Sequence, residues 1–255
     1  MFGSRLTRSF QLALVFLGCS RLPDSAAPSG GLVDPASVDL SDAIPYRTLT
    51  RADFKGTQAP APFAAVADRV GAATCGHVLT TPDTQLAIVG EGVQGGDMRY
   101  RVSVKQLRFR ALMDRSCSWW NDRVATFAPD YVLEHEQIHF ALYELGARRL
   151  NASASDIARK MQNEGSSKDD VQREAEQTLR QAVLDEVETI LAENRSFDED
   201  TSLGYKPERQ KVWLGKVTSQ LSATRQWARL PRADGVTVAA ELPSERDGLS
   251  LTKAP

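Results

Sequence analysis

The stretch from Pro129 to Leu150, PDYVLEHEQIHFALYELGARRL, constrains this fold more than any other part of the chain. Its proline suits a first helical position, and no breaker follows before Gly146. Wound as a helix, it spreads Leu133, Ile138, Phe140, Ala141, Leu142 and Leu145 around most of its circumference. A helix that is apolar nearly all round belongs in the interior, with protein on every side. Yet this one carries His135, Glu136, His139 and Glu144, and buried polar groups must find partners. His135 and His139 are four residues apart, which places them on one face, about 40° apart around the axis.

That spacing is HExxH, with Glu136 beside the first histidine. Two neutral imidazoles on one helix face can hold one metal ion from the same side. A carboxylate that is not itself a ligand can then take the proton of a water activated by the ion. The chain has three histidines in all. The third, His77 in ATCGHVLTT, reads as a strand or loop residue. Either a carboxylate completes the site, or the site is incomplete.

Length, composition and charge set the surroundings. At 255 residues with 42% hydrophobic and 25% charged residues, the chain can build one sizeable core. A formal net charge of −2 offers no basic face for nucleic acid. Arg5 and Arg8 precede the apolar run FQLALVFLG, which ends at Gly18-Cys19. This describes a signal peptide of the lipoprotein type over 1–18, with Cys19 lipidated and anchoring the chain to a bacterial membrane. Residues 19–42, rich in Pro, Ser, Ala and Gly, read as a flexible tether. Residues 231–255 read as a peripheral or disordered tail. In an exported chain Cys75 and Cys117 are left as an even pair, free to form a disulfide or to stay as buried thiols.

Between tether and tail the periodicity switches once. Residues 43–120 read as strand-rich. Met98, Tyr100, Val102 and Val104 alternate with polar residues, and the phase slips near Lys105-Gln106, as a bulge or bend would cause. TQLAIVGEGV and TCGHVLTT are shorter strand candidates. Residues 127–230 read as helical. A second helix is expected from about Ser167 to Asn194. A third should begin near Pro207 and carry Val212, Trp213, Val217 and Leu221. Strands first and helices after is an α+β order.

Four segments over residues 44–221 together resemble a bacterial family of predicted secreted zinc-dependent proteases, otherwise a domain of unknown function. They are YRTLTRADFKG, FRALMDRSCSWW, LEHEQIHFALYE and FDEDTSLGYKPERQKVW. The resemblance implies a zincin-like fold, with antiparallel strands followed by the metal helix. It also implies a zinc hydrolase of the cell envelope, acting on peptide or envelope-protein substrates. His135 and His139 would be ligands, Glu136 the general base and Zn²⁺ the cofactor. The family pattern carries His where this chain has Leu203, Asp where it has Ala141, and Gly where it has Ile138. These departures admit an alternative reading, a catalytically decayed lipoprotein that serves in binding or assembly. They also leave the third ligand open. Asp198, five residues before Leu203, is preferred, with Glu186, Glu193 and Glu144 as alternatives. Glu144 lies about 140° around the helix from His139. Tyr205 is a candidate oxyanion donor.

Overall fold

A computed structural model describes residues 13–15, 40–93 and 95–228. The chain is α+β, with antiparallel sheets and several helices, as its periodicity predicts. The strands are β1 (Ala13–Val15), β2 (Ala43–Pro45), β3 (Ala72–Ala73), β4 (Gly76–Thr80), β5 (Gln85–Gly92), β6 (Met98–Gln106), β7 (Phe109–Asp114), β8 (Trp119–Trp120) and β9 (Glu164–Gly165). The helices are α1 (Asp122–Ala125), α2 (Pro129–Ala152), α3 (Ala154–Lys160), α4 (Lys168–Thr201) and α5 (Pro207–Ala223). One sheet has the order β1-β4-β7-β2, a second pairs β3 with β8, and a third has the order β5-β6-β9. The phase slip is a bulge. Gln85 pairs with Gln106 but Leu86 pairs with Val104, so Lys105 is left over, and the chain turns into β7 soon after.

Helix α2 lies at the centre. One side, through Phe140, Tyr143, Ala147 and Leu150, joins the core formed with Val78, Phe109, Ala111 and Met113 of the sheet and with α4. Another side, through Ile138, Ala141, Leu142 and Leu145, packs on Phe197 of α4 and on Trp213 and Val217 of α5. Protein on both sides is what an all-round apolar helix requires. Two glycines set how close its neighbours come. A Cβ at Gly76 would lie 2.3 Å from the Tyr143 ring, so β4 can rest directly on α2 only with glycine there. A Cβ at Gly146 would lie 2.3 Å from Ile190 Cδ1, so α2 and α4 touch nearly backbone to side chain.

Several boundaries differ from the sequence reading. Helix α2 runs through Gly146 to Ala152, because the close approach to α4 repays the helix cost of glycine. Helix α4 continues past Asn194 to Thr201. Its buried row, Val183, Val187, Ile190, Asn194, Phe197 and Thr201, keeps steps of four and three. In α5, Trp213 and Val217 are buried, whereas Val212 is exposed, one step off that face. Cys75 and Cys117 are joined by a disulfide with Cα atoms 5.8 Å apart, tying the β3–β4 junction to the turn before β8. Strand β1 falls inside the expected signal peptide and pairs antiparallel with β4. Cys19 and residues 231–255 lie outside the described residues, as does most of the tether. Among the described residues no helix is long and apolar enough to cross a membrane.

Candidate metal centre

Helix α2 presents His135 and His139 toward α4, where Asn194 and Asp198 are likewise four residues apart on one face. The two pairs meet. Asp198 Oδ1 is 3.3 Å from His135 Nε2 and 3.1 Å from His139 Nε2, and the two Nε2 atoms are 3.2 Å apart. Tetrahedral coordination with bonds of about 2.0–2.1 Å puts neighbouring ligand atoms roughly 3.3 Å apart. The three atoms thus occupy three corners of such a tetrahedron. All three residues are buried or nearly so.

The outer nitrogens decide what those three atoms are. His139 Nδ1 lies 2.6 Å from Asn194 Oδ1, and His135 Nδ1 lies 3.1 Å from Gln210 Oε1. Both amides are fixed the right way round. Asn194 Nδ2 donates to Ile190 O, and Gln210 Nε2 donates to Tyr131 O and to Glu134 Oε1. An amide oxygen only accepts, so each Nδ1 carries the hydrogen. Each neutral ring then points an Nε2 lone pair inward, beside a carboxylate oxygen. Three lone pairs converging in a buried site need a cation between them. The donor set of two imidazoles and one carboxylate suits a metal ion.

Without a metal, a proton takes that part. Burial alone would lower the His139 pKa, but the Asp198 carboxylate beside it, together with Glu136 and Asn194, outweighs burial and raises it to about 9. Burial likewise pushes Asp198 up, yet the charge of His139 and the imidazoles beside it hold its carboxyl well below the usual range. Phe197 backs the rings, stacked on His135 at 4.4 Å and edge-on to His139 at 4.9 Å, and Trp213 stands behind it.

Glu136 is 2% exposed and lines the same cleft. Thr74 Oγ1 donates to its Oε2 at 2.8 Å, which holds the carboxylate in place. Its neighbour in sequence, Gln137, turns to the other side of the helix. There it accepts from Leu49 N and donates to Arg47 O, stapling the segment after β2 onto α2. The cleft above the cluster is bounded by β3, the segment around Phe127, and Leu203–Tyr205. The last of these is braced at the helix junction, where Asp200 accepts from Trp213 Nε1 and Arg209.

The other sequence candidates lie elsewhere. Glu186 and Glu193 both pair with Arg149 and stand apart from the His135, His139 and Asp198 group. Glu144 also stands apart from it. It is tied to Arg148 at 2.7 Å, on the face toward α5. His77 is buried on β4, where burial outweighs Asp114 and lowers its pKa to about 4, keeping it neutral. Tyr205 lines the cleft and donates its hydroxyl to Arg69 O. Thr74, Asn194, Phe197, Gln210 and Tyr131 were not singled out as site residues by sequence reasoning. The i, i+4 echo of Asn194 and Asp198 was a usable signal once α4 is carried to Thr201. Comparison with protein-family models, with characterised proteins and with solved structures finds no match.

Proposed function

We propose that this chain is a zinc-dependent hydrolase, a peptidase of zincin-like architecture, exported and lipid-anchored through Cys19 in the bacterial cell envelope. One observation carries the proposal: three lone-pair donors, His135 Nε2, His139 Nε2 and Asp198 Oδ1, converge on one point beside a cleft that also holds Glu136. Zinc suits two imidazoles and a carboxylate at these spacings. When bound, the ion supplies Lewis acidity, which polarises a carbonyl and makes water acidic near neutral pH.

The chain's own residues would divide the work as follows. His135, His139 and Asp198 hold the ion. Gln210 and Asn194 fix both histidines in the Nδ1–H form, so the Nε2 atoms stay available. Glu136, positioned by Thr74, accepts a proton during attack on the carbonyl and passes it to the leaving amine. The resemblance to secreted zinc proteases and the HExxH chemistry both favour a peptide bond as substrate.

Glu136→Gln tests the division of labour. It keeps size and hydrogen bonding but removes the base. Zinc content should stay at the wild-type level while hydrolysis of a mixed peptide library falls about 10²–10⁴-fold. Wild-type chain that binds zinc but cleaves no peptide would favour the binding-lipoprotein alternative.

A further inference from the structure

We infer that the cleft is closed at one end beside His135 and takes the carboxylate terminus of a chain rather than its middle, with the Arg69 side chain binding the carboxylate. Cleavage at that terminus rests on the hydrolase reading, but its binding does not.

The closed end comes first. Both walls of the cleft rest on one turn of α2. A Cβ on Gly71 would lie 3.0 Å from Val132 Cγ1, and one on Gly204 would lie 3.4 Å from His135 Nδ1. Val132 and His135 are three residues apart, on the same face of the helix. Across this turn the walls are joined, because the Tyr205 hydroxyl donates to Arg69 O at 2.9 Å. Both walls are fixed where the bridge meets them. Asn121 Nδ2 donates to Ala67 O and Val70 O, and Asn121 N donates to Gly71 O. Opposite, Ser202, Leu203 and Gly204 are all left-handed, at φ 52, 58 and 87. Such a turn persists only where its surroundings hold it. Here Tyr131 donates its hydroxyl to Gly204 O at 2.6 Å, Leu203 N donates to Asp198 O at 2.8 Å and Lys206 N donates to Thr201 O at 2.9 Å. With α2 as floor and Tyr205 as bridge, the middle of a chain can pass only if the bridge breaks. A chain end needs no such opening.

Charge selects which end. Besides the two histidines, the charged side chains lining the cleft are Glu136, Asp198 and Arg69. The carboxylates of Asp198 and Glu136 balance a divalent ion, which leaves Arg69 uncompensated in a lining that is otherwise largely apolar. Its acidic neighbour Asp68 is 3.8 Å away, but both side chains are largely exposed, and an exposed pair of this kind holds weakly. A guanidinium so placed matches a carboxylate in charge and shape and repels an ammonium. Arg69 therefore has two separable parts. Its carbonyl receives the bridge, and its side chain carries the charge.

The test uses the full chain carrying Glu136→Gln, loaded with zinc, so that peptides bind without turnover. Three probes share one apolar tetrapeptide. It ends in a free carboxylate, ends in an amide, or is embedded in a longer peptide blocked at both ends. Calorimetry should find the carboxylate probe bound about tenfold tighter than the amide probe, as a charge-assisted pair provides, and the embedded probe bound most weakly. Zinc itself attracts a carboxylate, so two further substitutions assign the effect. Arg69→Gln keeps the backbone bridge and should shrink the carboxylate preference severalfold. Tyr205→Phe keeps the ring but removes the bridge, and should raise affinity for the embedded probe severalfold. Zinc content and thermal midpoint report that fold and metal are kept. Equal affinity for carboxylate and amide, a preference unchanged by Arg69→Gln, an embedded probe unaffected by Tyr205→Phe, or no binding of any probe would overturn the inference. Hydrolysis by the unsubstituted chain is scored separately. A carboxylate preference without hydrolysis supports the inference and counts against the peptidase reading. Cleavage within end-blocked peptides as fast as at free carboxylate ends overturns the inference and leaves the peptidase reading in place.

Discussion

At the scale of single residues, the central pair is His139 and Asp198. In the metal-free chain burial opposes charge on His139, but Asp198, together with Glu136 and Asn194, prevails and raises its pKa to about 9. The sign of the consequence follows. Below about pH 9 the site holds a proton that a metal ion must displace, so apparent affinity falls as pH falls. Between about pH 6.5 and 8.5 affinity should rise roughly tenfold per unit and then level off. Competition with a chelating dye across that range measures the slope, and a flat profile would mean that His139 is not the displaced group. His135, Glu136 and His139 were legible in the sequence because HExxH encodes both a helix face and a chemistry. Their partners were not. Thr74, Asn194 and Gln210 act through hydrogen bonds across 62, 55 and 75 residues of sequence, and common polar residues leave no local pattern that names such contacts. Leu203, where the resembling pattern has histidine, lines the cleft, and Asp198 stands where a third donor is needed.

At the scale of elements, the site depends on how near α2 and α4 come. Gly146 sits inside α2, a position where glycine costs about 1 kcal/mol relative to alanine. It is there because Ile190 fills the space a side chain would need. Gly146→Val should push the helices apart, destabilise the chain by about 1–3 kcal/mol and weaken metal binding by moving Asp198 from the histidines. Urea unfolding and zinc titration of that variant read the two effects. Loss of stability with full zinc affinity would show that the crossing does not set the site. The extent of α4 was harder to read than that of α2. The aliphatic stripe thins after Leu191, so the sequence reading stopped at Asn194, but Phe197 and Thr201 carry the buried row one and two turns further. That extension places Asp198 on the helix rather than in a turn beyond it. No breaker stands before Gly204, and this was the available signal. The β6 alternation and its slip at Lys105 were readable for the opposite reason, since period two and a bulge both leave local marks.

At the scale of the whole molecule, the Cys75–Cys117 disulfide closes a loop of 42 residues that contains β4, β5, β6 and β7. Cys75 adjoins Thr74, the residue that holds Glu136. Reduction should cost about 2–4 kcal/mol of stability, as expected for a loop of this length. It should also loosen the cleft wall beside Glu136. Unfolding with and without reductant tests this, and identical midpoints would show that the crosslink carries no stability. The α+β order was legible from one switch of period, whereas the way the β1-β4-β7-β2 sheet, α4 and α5 enclose α2 depends on long-range pairing that no window of sequence contains. The account stands or falls on whether that enclosure holds a metal ion. The most direct measurement is zinc per chain by native mass spectrometry, for the wild type, Asp198→Ala and Glu186→Ala. One zinc per wild-type chain, lost in Asp198→Ala and kept in Glu186→Ala, is the predicted result. A wild-type chain without zinc at micromolar free metal, or full retention in Asp198→Ala, would contradict it.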